Sequence, residues 1–318
     1  MKIPSATILG TLLAAATAMA AVDPGLLNLV MPEAKILSGV QVAQSQASPF
    51  GQYLLSQMQI NDEGFQKFVA ATGFDPRHDL NEILAATNGD HRALVVGQGV
   101  FQVDRILAAA AAEGAAVTNY RGIDIVTSPD KPGSTGSIAF LDASTAVMGD
   151  TDAVKAAIDR RIAGTSFSGS LADKAKEVSA VNDAWFATVT PLSDFLNGKV
   201  ANPNLNGMTQ GNLLQAVLQA SGGVKFGSAG VTISGEAVTR SDKDAQSLVD
   251  VMKFLASLVQ MNKDKDPLAA KAASLADAAK FTADGPVMHL TMSLPEQQIE
   301  QLFMPLAPKP RRTGVALR

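Results

Sequence analysis

The sequence predicts an α+β protein made of two similar units, each an antiparallel strand meander with helices packed on one face. Three observations carry this reading. Strand-like runs come in blocks, helices first, then several strands in close order, then a closing helix, which is not the alternation of a βαβ array. Turn residues punctuate the strand blocks at hairpin spacing. The second half also repeats the outline of the first: a strand over 185–189 leads to Thr190-Pro191, as a strand over 36–42 leads to Ser48-Pro49.

Taken in order, residues 25–30 form a turn of helix and residues 36–42 a β-branched strand. Ser48 caps a helix over 50–59 with Pro49 in its first turn, and Asn61 caps a second that runs to Ala71 and closes at Gly73. A short helix is expected over 79–87, then a strand over 92–101. A helix over 103–113 stops at Gly114, where a left-handed C-cap is required. Strands follow at 116–119, 123–127, 137–141 and 145–148, with 129–136 as an exposed hairpin end, and Asp150 caps a helix over 152–162.

Residues 164–170 are small and polar and read as a linker between a first unit at 21–163 and a second at 171–305. In the second unit Trp185 fills core, and 223–239 is strand or hairpin with Val231, Ile233 and Ala237 on one face. Ser241 caps a helix through 259, and another helix covers 267–279. Over 287–294, Met288, Leu290, Met292 and Leu294 face one way and Val287, His289, Thr291 and Ser293 the other. Ser293 and Pro295 start a last helix ending near Phe303, and 306–318 is a basic, disordered tail.

The N-terminus carries a compartment signal. Lys2 is followed by an uncharged run to Val22 that ends in the small-residue pattern Ala18-Met19-Ala20, the three parts of a secretory signal peptide over residues 1–20. Pro4, Ser5, Thr7, Thr11 and Thr17 dilute the run, and Asp23-Pro24-Gly25 breaks any helix, so cleavage near Ala20 is favoured over an uncleaved anchor. No stable membrane span is expected after cleavage, and the mature protein is expected in the periplasm or secreted. The chain has no cysteine, which removes disulfides, a lipidated N-terminus, thiol nucleophiles and thiolate ligands together.

The net charge is −4, and the tail after Leu306 holds Lys309, Arg311, Arg312 and Arg318 with no acid, so the body that precedes it is more negative still. A net-negative body does not suit nucleic acid, whose phosphates need a basic face. With one Trp and two Tyr, an aromatic sugar-binding platform is not supported either.

Chemical motifs are sparse. His78-Asp79, Asp90-His91 and Glu82 make weak metal candidates, His78, His91 and Glu82 by type, at a spacing that matches no ligand pattern. Ser128-Pro129-Asp130-Lys131 has a Ser-x-x-Lys spacing, but Pro129, Asp130, Pro132 and Gly133 favour a loop over the helix that such a pair needs. Asp62-Glu63, Asp242 with Asp244, and Asp264 with Asp266 lie in first turns or loops, where acids complement the helix dipole. Gly97-Gln98-Gly99 lacks the third glycine of a dinucleotide fingerprint and marks a strand bulge instead, so no cofactor and no catalytic residue are assigned.

The segment Pro32-Glu33-Ala34-Lys35-Ile36-Leu37-Ser38-Gly39-Val40-Gln41-Val42, followed by Ser48-Pro49-Phe50-Gly51-Gln52, resembles the opening of a group of uncharacterised exported bacterial proteins. So do Tyr120-Arg121-Gly122-Ile123-Asp124-Ile125, Ser137-Ile138-Ala139-Phe140-Leu141-Asp142, Val147-Met148-Gly149-Asp150 and Val154-Lys155-Ala156-Ala157-Ile158-Asp159. The resemblance covers most of residues 30–165 and is weaker beyond, consists of turns and caps, and implies a secreted or periplasmic α+β protein without an assigned activity. The leading functional expectation is therefore a non-enzymatic envelope binding or scaffold protein with an unknown envelope partner. The second is a carrier of a lipid or other apolar small molecule in a sheet-and-helix cavity softened by the 11 methionines, and the third an envelope hydrolase.

Overall fold

Backbone pairing joins both halves of the chain into one sheet. The computed structural model describes residues 21–57, 63–89, 92–127, 136–191, 213–265 and 267–303. The signal segment, His91, the 129–135 loop, the Thr190-Pro191 helix and the basic tail therefore lie outside the described residues, wholly or beyond their first residues. The strands are β1 (Ile36–Gln41), β2 (Leu80–Thr87), β3 (Ala93–Gly99), β4 (Ala116–Tyr120), β5 (Ile123–Thr127), β6 (Gly136–Phe140), β7 (Thr145–Asp150), β8 (Ala184–Thr188), β9 (Val217–Phe226), β10 (Gly230–Thr239), β11 (Ala279–Asp284) and β12 (Val287–Pro295). They pair antiparallel throughout, in the order β11-β12-β10-β9-β8-β1-β2-β3-β7-β6-β5-β4.

The helices are α1 (Pro24–Leu27), α2 (Val42–Gln46), α3 (Pro49–Gln57), α4 (Glu63–Thr72), α5 (Pro76–Asp79), α6 (Val103–Ala112), α7 (Thr151–Ala163), α8 (Ser170–Ser179), α9 (Leu213–Ala216), α10 (Asp242–Met261), α11 (Pro267–Ala278) and α12 (Glu296–Phe303). The fold is α+β. The strand order does not divide into two sheets, because β1 pairs with β2 on one side and with β8 on the other.

The caps are chemical. Ser48 Oγ accepts from the Gly51 N–H at 2.9 Å and Ser241 Oγ from the Asp244 N–H at 3.2 Å, each supplying an acceptor to a helix start. Gly73, Gly114 and Gly164 take positive φ of 70°, 83° and 64° at helix ends, a region closed to most side chains.

One expectation is corrected. Residues 80–87 form a strand, not a helix, with alternate residues Glu82, Leu84 and Ala86 buried. Helix-forming Leu, Glu and Ala lose here to pairing on both sides, with β1 and β3, because propensity is weak beside burial between two strands. A register shift between Leu80 and Glu82 opposes Gln98 and Gly99, so the Gly97-Gln98-Gly99 run does adjoin a bulge, carried by the partner strand.

The two faces of the sheet are covered by different helices. Residues opposed in an antiparallel ladder share a face, so the registers extend one face from strand to strand. On the face of Leu37, Leu84, Leu94, Val147 and Trp185, the segment from Val22 to Met31 packs with α7 and α8 in one core. Helices α7 and α8 share that core across residues 164–170. On the opposite face, α10 covers Ala237 and Met288, while Phe50, Leu275 and Ile299 close over Val231 and Leu294. Coverage thus changes sides along the sheet.

The crossing point is braced at β8. Trp185 is buried against Gly39 of β1, and Gly39 is its Cα partner. Asp183, buried, accepts from Lys225 Nζ at 2.8 Å and from the Phe226 N–H at 2.6 Å, tying the start of β8 to β9. Asn182 donates to the Val178 carbonyl at 2.8 Å and accepts from Ser234 Oγ at 3.3 Å.

A methyl on Gly39 would lie 2.6 Å from the Trp185 ring. Gly39→Ala is expected to lower unfolding free energy by about 2–3 kcal/mol, the cost of overpacking a filled core. Urea denaturation followed by Trp185 fluorescence checks this, and a stability equal to the parent's would show that the contact is slack.

Candidate functional site

A cavity of about 750 Å³ lies between the sheet and the α4–α6 pair, on the face opposite the α1–α7–α8 core. Its floor is Ile83 of β2, Val95 and Gly97 of β3, Val126 of β5, Ile138 and Phe140 of β6, and Ala146 and Met148 of β7. Its roof is Phe68 and Ala71 of α4 with Ile106, Ala109, Ala110 and Ala112 of α6. The polar side chains on its lining are Lys67, Thr72 and Glu113. Lys67 and Glu113 are exposed, and the Thr72 hydroxyl is spent on the Phe68 carbonyl at 2.7 Å.

The sequence builds this space locally. The alanine run of α6 favours helix while projecting little volume, so no residue of α6 is fully buried and its contact with the floor cluster is carried by Val103 and Ile106. Arg105 ties the two roof helices together, donating from Nη2 to the Ala70 carbonyl at 2.9 Å, at the carbonyl end of α4 where a cation is favoured. One wall is aromatic: Phe68, Phe74, Phe101 and Phe140 form a chain of ring contacts with centroid separations of 6.3, 5.3 and 5.3 Å. A cavity so lined is an apolar compartment, suited to apolar molecules more than to water.

The sequence-derived candidates lie elsewhere. His78 is exposed on α5, His91 is outside the described residues, and Glu82 is buried on the other face of β2. Among the described residues no three of His, Asp and Glu are placed to hold a metal ion. Ser128 to Lys131 falls outside the described residues, as do Asp62 and Asp266. His289 is half-exposed and sits 3.5 Å from Glu236. The residues that build the cavity were not singled out from sequence; their signal was the clustering of phenylalanines between Phe65 and Phe140 around a five-alanine run.

Glu82 has a structural task. Its carboxylate accepts from the Asp23 N–H at 3.3 Å, fastening the N-terminal segment, and Asp23 in turn accepts from Gln98 Nε2 at 3.2 Å. Burial pushes the Glu82 carboxyl above its ordinary 4.5, and the Asp23 charge adds to that; the Gln41 amide and the Asp23 N–H pull the other way. Gln41 is buried beside it.

Because the folded-state value is raised, the stability linked to Glu82 is full below pH 4.5 and is lost as pH rises through the folded value. Glu82→Gln keeps an acceptor for Asp23 without the buried charge. The variant is expected to match the parent at low pH and exceed it at pH 7; melting curves across that window check this, and an unaltered pH slope would refute it.

Among the described residues no helix is long and apolar enough to cross a membrane. No protein-family model matches the chain, and no curated protein matches it in sequence. Solved structures of similar shape include crystal forms I, III and IV of TP0453, at 10%, 8% and 12% identity and TM-scores of 0.49, 0.53 and 0.52. Each match covers 89% of this chain and 97–98% of the other. On forms III and IV, the chain is similar to TP0453 in fold.

Proposed function

We propose that this protein is an exported, non-enzymatic carrier of an apolar ligand, held in the cavity under α4 and α6. The observation that carries the reading is a space of about 750 Å³ whose charged lining groups, Lys67 and Glu113, are exposed. A ligand there exchanges water for aliphatic and aromatic carbon, and burial of apolar area supplies the affinity. Between the binding-protein and carrier expectations from sequence, this cavity favours the carrier. A roof of small side chains lets contents of different shape be accommodated.

Export is supported by the N-terminal pattern from Lys2 to Ala20. Ala21 is exposed, while Val22 is buried and its N–H donates to Ser179 Oγ at 2.9 Å. Val22 is thus held in the fold two residues after Ala20, the residue at which cleavage is expected.

Gly97 lies on the cavity floor, and the nearest atom to a Cβ placed there is Leu80 Cδ2 at 3.7 Å. Gly97→Phe is therefore expected to fill the space without straining the strand. Native mass spectrometry of the purified protein should show co-purified apolar molecules in the parent and at least about tenfold less in the variant. A parent that stays empty, and binds no apolar fluorophore, would overturn the carrier reading.

A further inference from the structure

The floor of the cavity does not stop at its roof. Two registered rows of side chains leave it and cross the middle of the sheet. In one, Val126, Ile138, Met148 and Val95 line the cavity, and the same ladder continues through Ala85 and Ser38 to Phe186 of β8. In the other, Phe140, Ala146, Gly97 and Ile83 line the cavity, and the ladder continues to Val40 and Ala184. Neither row contains a charged side chain. Beyond the roof, Val40 and Phe186 are 36% and 42% exposed, large apolar groups that no described residue covers, on the stretch of this face between the α4–α6 pair and the α10–α12 side.

The shape of the track follows from residue size. Between Val40 and Phe186 stand the small Ser38, Ala85 and Ala184, giving a shallow furrow with taller sides. Phe186 closes its end, its ring edge 3.1 Å from where a Cβ on Gly222 would lie. From Val126 to Phe186 there are six strand spacings, about 29 Å at about 4.8 Å each. The part under the roof, from β5 to β2, takes four of them, about 19 Å. One leaflet of a bilayer core is about 15 Å deep, so the covered part holds an ordinary acyl chain and the whole track a longer one.

Resting on the carrier reading, we propose that cavity and furrow form one continuous site for a long, unbranched acyl chain. The chain enters beneath α4 and α6 and its remainder lies across β2, β1 and β8. The furrow is narrow and uncharged, which suits a linear hydrocarbon and not a polycyclic body, and the polar head stays in water.

The test is a chain-length series. Laurate, palmitate and lignocerate, and lysophosphatidylcholines with the same chains, displace an apolar fluorophore from the mature protein. In the parent, affinity should rise from laurate to palmitate and rise again, by at least about tenfold, to lignocerate, since each newly buried methylene contributes up to about fourfold. Ala85→Trp, which blocks the furrow outside the cavity, should leave laurate within about twofold and bring lignocerate down to the palmitate level. Phe186→Ser, at an exposed position, should reduce the lignocerate gain in the same direction. Chain-length gain with either head group supports the track. An affinity that levels off at palmitate, or an Ala85→Trp variant that weakens laurate and lignocerate alike, overturns the track and leaves the cavity standing. Failure of every chain to bind overturns the carrier reading itself.

Discussion

Everything in this fold depends on β1 being paired on both sides. It is the earliest strand in the chain, yet it stands in the middle of the sheet, with β2 along one edge and β8 along the other. The partner from the second half comes roughly 150 residues later, so a large loop-closure entropy precedes that ladder. What offsets it is local and specific. Gly39 lets Trp185 lie flat over β1, and Asp183 pins the start of β8 to Lys225 and the Phe226 amide of β9. Asp183 is buried and ionic, a costly arrangement without partners, so its two short contacts fix a geometry more than they add net stability. The N-terminal segment is part of the same knot, since Val22 bonds Ser179 of α8 and Asp23 bonds Glu82 of β2.

A sheet with one apolar face per strand needs cover on that face only, but here the covered face changes along the sheet. Toward β7, the α1–α7–α8 layer buries Leu37, Leu84, Leu94 and Val147. Toward β12, α10, α11 and α12 bury the opposite face, and the first face becomes polar, with Glu236, His289, Thr291 and Lys280 on it. Strands β2, β3, β7 and β6 carry apolar residues on both faces, which leaves a second surface to be roofed by α4 and α6. The cavity sits where this second layer is thin, and the uncovered middle is where one helical layer has ended and the other has not begun.

Much of this was legible in the sequence, and the reasons for the remainder are physical. Ser48, Ser241, Gly73 and Gly114 announced helix ends because caps and left-handed turns are local chemistry. The alternation over 287–294 announced β12 because one of its faces is wet. Strand β2 was not legible, since Ile83 and Ala85 on one face and Leu84 and Ala86 on the other erase polar–apolar alternation, and its Leu, Glu and Ala favour helix. Helix α8 was missed because its opening merges with the polar 164–170 run, and β11 because it follows α11 without a break. The joining of both halves into one sheet depends on contacts between β1 and β8, which no local pattern encodes. The cavity was invisible for a related reason: it is made by what Ala109, Ala110 and Ala112 fail to fill, and absence of volume has no motif.

That absence also bears on energetics. An ordinary roof helix is held down by large side chains packed into the floor, whereas α6 fully buries none of its residues, is tied to α4 through Arg105, and rests on the Phe101–Phe140 cluster through Val103 and Ile106. Leu- or Phe-sized residues at the three alanines would have completed a core worth several kcal/mol of burial, at roughly 25 cal/mol for each Å² removed from water. A ligand entering the space supplies the same burial from outside the chain, and by mass action it stabilises the folded form in proportion to the logarithm of its concentration over its dissociation constant. The roof is then the element whose order depends most on occupancy, because the β1-centred knot and the α7–α8 core are complete without it. On the proposed carrier reading, binding and local stability are the same quantity at α4 and α6, while the rest of the sheet serves as their floor.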